Sequence, residues 1–280
     1  MQWWCSAEGQ AWTWEWRAYP GVWVFVALSA LAYYRLASNA MRETAADGVE
    51  TDRVRLGPAI GGIVLLWAGL DWPLGALGAG YLASVHMLQY LLLALAAPPL
   101  LLIGLPARAI HRDGTGRWPR RLAIALSRPI PAVVLFVVVT AVTHIPMVVD
   151  RVMPSQLGSF ALDLSWLVAG LLFWWSVIGP TGPGGNHPAP VKLLYLFPVI
   201  LTHTVIAVYM VFARFPIYAT YELAPPIGIV TALGDQQLAG GLMWVGGAPI
   251  MWGVMAFVFY RWSRAEMEPL DEIAISPPPI

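Results

Sequence analysis

Three histidines and one aspartate stand inside long apolar runs of this 280-residue chain: His86, His144, Asp163 and His203. Ionisable groups are costly in such surroundings, so each marks a candidate functional position. Neutral imidazole ligates transition metals, and thioether sulfur beside it selects Cu(I) over harder ions. Sulfur is close by in the sequence: Met87, Met147 and Met210 accompany the histidines, and Met243 lies in the last apolar run. A carboxylate such as Asp163 can orient a ligand histidine or offset positive charge. The candidate metal set is therefore His86, His144, His203 and Asp163, with Met147 and Met243 as thioethers, and the candidate metal is copper. Taken singly, each histidine reads as an interhelical hydrogen bonder and each methionine as a space filler. Only the grouping argues for more.

Local spacing refines the picture. His86, Gln89 and Tyr90 fall at i, i+3 and i+4, so they share one helical face. Pro146 follows His144 by two residues, and its missing N–H and its ring predict a kink that opens room beside the histidine. His111 and His187 fall in loops and are assigned no chemistry. The sequence holds no phosphate-binding glycine loop, Gly-x-Ser-x-Gly elbow, dinucleotide fingerprint or His-Glu-x-x-His. The expectation is a protein that is not an enzyme.

The elements that must position these residues are membrane helices. Hydrophobic residues make up 58% of the chain and charged ones only 11%, about half the charged share of soluble domains. About twenty apolar residues cross the hydrocarbon core. Spans are expected at roughly 20–36, 57–74, 80–104, 130–149, 157–178, 191–213 and 236–260, with Pro98-Pro99 kinking the third or ending it early. Arg35, Arg42, Arg53 and Arg55, then Arg108, Arg112, Arg117, Arg120, Arg121 and Arg128, then Lys192, Arg261 and Arg264 fall in alternate loops. The positive-inside rule places the N-terminus outside and the C-terminus inside, which an odd number of crossings satisfies. The fold class is all-α: a polytopic membrane helix bundle of about seven transmembrane helices. Counting ~1.5 Å per residue from the span ends puts His86, His144 and Asp163 ~9 Å deep and His203 ~13 Å deep, in one layer of the outer leaflet.

Residues 1–19 read as a short periplasmic segment, 20–262 as the transmembrane domain and 263–280 as a cytoplasmic tail, disordered at Pro277-Pro278-Pro279. The start of the chain, Met1-Gln2-Trp3-Trp4, carries no basic residue and the first apolar run begins only near Pro20, so that run is expected to stay in the membrane rather than be cleaved. The single cysteine, Cys5, forms neither an internal disulfide nor a zinc cluster. Sixteen basic residues balance sixteen acidic ones, and no nucleic acid partner is expected. Trp12, Trp14, Trp16 and Trp23, and Trp174 with Trp175 at the other side, read as interfacial belt residues. Gly57-x-x-x-Gly61, Gly240-Gly241 and Gly246-Gly247 read as places of close helix packing.

The stretch from His86-Met87-Leu88-Gln89-Tyr90 to Ala97-Pro98-Pro99 and Gly104-Leu105-Pro106 resembles the CtaG-type cytochrome c oxidase assembly factors. So, in the same order, do Thr143-His144-Ile145-Pro146, Gly170-Leu171-Leu172-Phe173-Trp174-Trp175 and Asp235-Gln236-Gln237-Leu238-Ala239-Gly240 with Met243-Trp244. The resemblance covers roughly residues 55 to 262. It implies a multi-pass protein of the bacterial cytoplasmic (inner) membrane that helps mature a haem–copper oxidase by handling copper, with His86, His144 and His203 at the positions such a role would use. Many relatives carry histidine where Tyr90, Ser159 and Asp163 stand here, which implies a smaller metal capacity.

The resulting expectation is an assembly factor that accepts copper in the outer leaflet, from a periplasmic copper chaperone, and passes it to a cytochrome c oxidase subunit. Two other readings stay open: an electron-transfer protein with haem between two histidines, and a scaffold for oxidase assembly that holds no metal. A transporter is disfavoured, since no internal repeat or mid-membrane carboxylate pair is present.

Overall fold

The computed structural model describes residues 2–46, 54–106, 109, 125–126, 128–178 and 188–275. Arg53, the arginines from Arg108 to Arg121, His111, His187 and the three tail prolines lie outside them. Helix is the dominant element and no strand occurs among the described residues. In chain order these are α1 (Pro20–Ala46), α2 (Leu56–Leu70), α3 (Leu74–Gly80) and α4 (Ala83–Tyr90). A π-helical turn, Leu91–Ala96, joins α4 to α5 (Ala97–Gly104). There follow α6 (Pro129–Thr143), α7 (Pro146–Val152), α8 (Gln156–Ile178), α9 (Ala189–Val211) and the short α10 (Ala219–Glu222). A second π turn, Met243–Gly247, joins α11 (Ala232–Leu242) to α12 (Ala248–Ile275).

Five of these helices or helix runs are long and apolar enough to cross a membrane, or seven if each of two bent pairs is one span. The unbroken runs are Pro20–Arg42, Ala83–Gly104, Gln156–Ile178, Ala189–Val211 and Ala232–Arg264. The bent pairs are α2 with α3, at 45°, and α6 with α7, at 74°. The seven apolar runs read from the sequence thus recur. The second span is prolonged past Asp71-Trp72-Pro73 by α3, whose glycines and alanines are all buried.

Packing follows side-chain size. The α2–α5 contact is made close by Gly62, where an added Cβ would stand 2.7 Å from Leu101, and by Gly104, where it would stand 2.9 Å from the Ala59 nitrogen. Gly57 and Gly61, read as a place of close helix packing, are not at such an approach: Gly57 meets nothing within 4 Å and Gly61 only Leu100 at 3.6 Å. The reason is helical phase. Gly62, one residue round from Gly61, lies on the stripe of α2 that faces α5. Gly240 and Gly247 do sit at close approaches, against the Ala207 carbonyl and the His203 ring, whereas Gly241 faces open space.

Pro98-Pro99 does not end the third span, which continues to Gly104. Proline at position 98 removes the donor that the Ala94 carbonyl would have used. That carbonyl accepts instead from the indole Nε1 of Trp174, at 3.2 Å. Gly170, one turn earlier on α8, allows the approach: a Cβ there would lie 2.5 Å from the same oxygen. Trp174 and Trp175 are consequently buried core residues and not members of an interfacial belt.

The segment before α1 folds onto the bundle. Trp3 N and Trp4 N donate to Gln156 Oε1 of α8 at 2.8 and 3.4 Å. Gly21 N returns to the Trp3 carbonyl and Ala7 N to the Met153 carbonyl, at 2.9 and 3.1 Å. The Tyr81 hydroxyl donates to the Gln10 carbonyl at 2.8 Å. Trp4 and Cys5 are both buried. Burial pushes the Cys5 thiol well up, and the thiol donates to the Leu70 carbonyl. Trp14 and Trp16 remain exposed at this end, while Trp23 and Trp67 both donate their indole N–H to Asp71, at 2.9 and 2.7 Å.

Two glycine substitutions separate close packing from mere composition. Gly170→Ala should destabilise the bundle by about 1–3 kcal/mol through overpacking against Ala94 and Pro98. Gly57→Ala, with open space around it, should be neutral or slightly stabilising. Thermal unfolding of the two variants in detergent reads the difference, and equal melting temperatures would refute the packing account.

Candidate functional site

The site is built on α4, and α4 is held by a residue from the other end of the chain. Its N-terminus turns sharply out of α3 and leaves the backbone N–H groups of Ala83 and Ser84 without helical acceptors. Asp235, buried on the first turn of α11, accepts from both amides and from the Ser84 hydroxyl. A carboxylate at a helix N-terminus satisfies the orphan donors and complements the helix dipole. The neighbouring Gln236 ties the preceding loop, accepting from Ile217 N at 2.7 Å and donating to the Met210 carbonyl at 3.3 Å. The polar residues at the start of the last span therefore act as fasteners.

From the α4 so fixed, His86, Gln89 and Tyr90 point into the bundle, and all three are buried. The His86 ring packs against Trp166 of α8, with centroids 5.0 Å apart, and against Tyr221 of α10 at 5.9 Å. Among the described residues, neither His86 Nδ1 nor Nε2 has a hydrogen-bond partner. A buried imidazole whose nitrogens face no partner is an exception to the usual satisfaction of buried polar groups.

His144 sits at the break between α6 and α7, where Pro146 produces the anticipated bend. Its own amide turns to the Ala141 carbonyl at 3.3 Å. The Thr140 carbonyl, which a continuing helix would have offered to that amide, is taken at 2.7 Å by His144 Nδ1. A carbonyl only accepts, so Nδ1 carries the proton and Nε2 the lone pair. That Nε2 is buried and has no partner among the described residues. The break also frees the His144 carbonyl, which accepts from the Tyr218 hydroxyl at 3.0 Å.

His203 of α9 follows the same rule with a different outcome. Nδ1 lies 2.7 Å from the Val199 carbonyl, and Nε2 lies 2.9 Å from the Tyr90 hydroxyl. The Tyr90 oxygen is also 3.0 Å from Thr140 Oγ1. The Tyr90 ring meets His144 edge-on at 5.0 Å and Trp166 at 5.2 Å. Three helices thus bring the three imidazoles around one phenol and one indole.

A small pocket opens beside this cluster, with His86, His144, Met87, Met210, Tyr218 and Tyr221 on its walls. Met87 and Met210 are buried, so two thioethers stand with two imidazoles that have unpartnered nitrogens. The other predicted site residues are placed elsewhere. Met147 is 59% exposed, because it occupies the first turn of α7 after the 74° bend. Met243 is buried in the second π turn but is not one of the pocket's walls. Asp163 is buried and accepts from the Trp4 indole at 2.9 Å, so its carboxyl group is turned toward the N-terminal segment. Among the described residues, no three His, Cys, Asp or Glu side chains are grouped to hold a metal ion.

Sequence reasoning set Met87 and Met210 beside the histidines but passed over Tyr218, Tyr221, Thr140 and Trp166. Tyr221 lies on a four-residue helix in a loop and Tyr218 caps that helix's start, and their i, i+3 spacing was the available signal. Burial raises both hydroxyls well above their ordinary range. They therefore stay protonated and donate, Tyr218 as above and Tyr221 to the Gly78 carbonyl at 2.8 Å.

Asp235→Ala should remove the cap from α4 at a cost of about 2 kcal/mol. Hydrogen exchange at Ala83 and Ser84 should quicken by roughly the factor of thirty to which that energy corresponds, with Asp235→Asn intermediate. Unchanged exchange at both amides would remove Asp235 from this role.

The profile of the cytochrome c oxidase caa3 assembly factor (Caa3_CtaG) matches residues 21–265. An uncharacterized protein of Mycobacterium bovis and one of Mycobacterium tuberculosis are each 27% identical over 249 residues, covering 75% of this chain and 37% of theirs. An uncharacterized protein of Mycobacterium leprae is 23% identical over 200 residues, covering 65% of this chain and 30% of its own. The chain thus spans little more than a third of the length of the curated relatives it matches. No solved structure matches it.

Proposed function

The chain belongs to the family of cytochrome c oxidase caa3 assembly factors, and on that premise we propose that it carries copper to a haem–copper oxidase subunit. The cargo is Cu(I), taken from a copper chaperone on the periplasmic side of the bacterial cytoplasmic membrane. One observation carries this reading: buried nitrogens of His86 and His144, without a partner among the described residues, share a pocket with the thioethers of Met87 and Met210. Two imidazoles and two thioethers form a soft donor set that favours Cu(I) over Mg, Ca or Mn.

The chemistry is ligand exchange. The pocket's walls include Tyr218 and Tyr221, which come from the loop that joins α9 to α11 at the end of the bundle covered by the N-terminal segment. A donor protein reaching that end gives up the ion one ligand at a time, so no naked ion is released. Uptake needs neutral imidazoles, because protons compete with the metal for the same lone pairs. Acidification should therefore weaken binding. The acceptor subunit removes the ion by the reverse sequence.

The purified protein should bind about one Cu(I) per chain, and the double substitution His86→Ala/His144→Ala should abolish that binding while the helical circular dichroism is retained. In a strain lacking the gene, the wild-type gene should restore oxidase activity and the double variant should not. Stoichiometric copper in the double variant would reject the site. Full oxidase activity with the double variant would favour a scaffold that assembles the oxidase without touching its metal.

A further inference from the structure

We propose that Tyr90 divides the three histidines into two classes: His86 and His144 take the cargo, and His203 is a positioning residue whose Nε2 is committed to the Tyr90 hydroxyl. This rests on the copper reading above and assigns roles within the same site.

The division follows from counting protons along one chain of hydrogen bonds. His203 Nδ1 faces the Val199 carbonyl at 2.7 Å, and a carbonyl has nothing to donate, so Nδ1 carries the hydrogen. In a neutral imidazole the other nitrogen then offers only its lone pair. The Tyr90 hydroxyl, 2.9 Å away, must donate to it. With its hydrogen so used, the Tyr90 oxygen accepts from Thr140 Oγ1 at 3.0 Å. The chain therefore runs in one direction, from Thr140 through Tyr90 and His203 to Val199.

Thr140 also decides the state of His144. Its carbonyl accepts from His144 Nδ1 at 2.7 Å, which turns the Nε2 lone pair away from the helix. That lone pair meets no partner among the described residues, whereas the corresponding lone pair of His203 is already satisfied. The walls of the pocket agree: His86 and His144 contribute to them and His203 does not.

Tyr90 is fit to hold this arrangement because it is fully buried and fixed on several sides. Two hydrogen bonds hold its hydroxyl, and its ring packs against His144, Trp166 and His203 with centroids 5.0, 5.2 and 5.6 Å away. Drawing His203 into the metal's coordination would strip the buried Tyr90 O–H of its acceptor, a penalty that water in the membrane interior is not present to relieve. His203 accordingly acts through Tyr90, whose ring sets the edge-on position of His144.

Cu(I) competition titrations on the full chain in detergent, with X-ray absorption to count imidazole and thioether ligands, test the assignment. His203→Gln places an amide oxygen near the former Nε2 and preserves the acceptor for Tyr90. It should bind Cu(I) within about twofold of wild type with an unchanged ligand count. His203→Ala, which removes the acceptor, should weaken binding about tenfold without removing an imidazole from the count. His144→Gln should lose both the affinity and one imidazole. Loss of an imidazole in His203→Gln, to the same degree as in His144→Gln, would overturn the proposal, as would wild-type affinity in His203→Ala. Histidine side-chain 15N spectra of the metal-free wild-type protein give an arm independent of any variant's folding. They should show His203 protonated at Nδ1, with its Nε2 lone pair hydrogen-bonded. Protonation at Nε2 would refute the division by itself. Failure of the wild-type protein to bind Cu(I) would instead sink the copper reading and this inference with it, whatever the spectra show.

Discussion

Hydrocarbon offers no water, so each backbone group that a helix break exposes must find a partner inside the protein. This chain is rich in such breaks, and the way each is mended shapes everything near the site. Pro98 frees the Ala94 carbonyl, which Trp174 takes from a different helix. The α6–α7 bend frees the carbonyls of Thr140 and His144, which accept from His144 Nδ1 and from the Tyr218 hydroxyl. The sharp turn into α4 frees two amides, and Asp235 accepts both. All but the His144–Thr140 bond cross between distant parts of the chain, so these repairs are also clamps of the tertiary structure.

Bonds to backbone carbonyls also prepare two of the imidazoles, and for His144 that bond is one of these repairs. Binding Nδ1 to a backbone carbonyl fixes the tautomer and the ring plane before any ligand arrives, which is how outer partners tune metal-binding histidines elsewhere. His144 and His203 both do this. His86 does not; it is positioned by aromatic packing on Trp166 and Tyr221 and retains both nitrogens unpartnered among the described residues. A site made this way has one imidazole fixed by a hydrogen bond and one held by aromatic packing alone.

Among the described residues, a layer of polar bonding marks the end of the bundle that the N-terminal segment covers. Asp71 receives two indoles, Asp163 the Trp4 indole, Asp150 the first amides of α10 and Asp235 those of α4. The N-terminal segment is woven through this layer, bonded to α8, to the carbonyl of Met153 and to Tyr81. The exposed faces of α1, α6 and α9 are by contrast apolar, as surfaces meeting acyl chains must be. The site therefore lies beneath a firm polar cover at the end from which the cargo is proposed to enter.

Much of this was legible in the chain of residues alone. Apolar runs of about twenty residues locate the spans because hydrocarbon thickness dictates helix length, and the bend after His144 follows from the chemistry of Pro146. Buried polar residues in apolar runs likewise pointed to His86, His144 and His203, because few structural uses justify their desolvation. What the residues could not specify was direction and partnership. Met147 lies nearer a histidine in sequence than Met210 does, yet a 74° bend turns the first outward while helical phase turns the second inward. Asp163 resembles a metal-site carboxylate until Trp4, 159 residues away, claims it. Trp174 resembles a belt residue until Gly170 lets its helix approach an orphaned carbonyl. Composition and proline chemistry act locally and can be read locally, whereas which nitrogen keeps a free lone pair depends on contacts between helices that only the folded chain brings together.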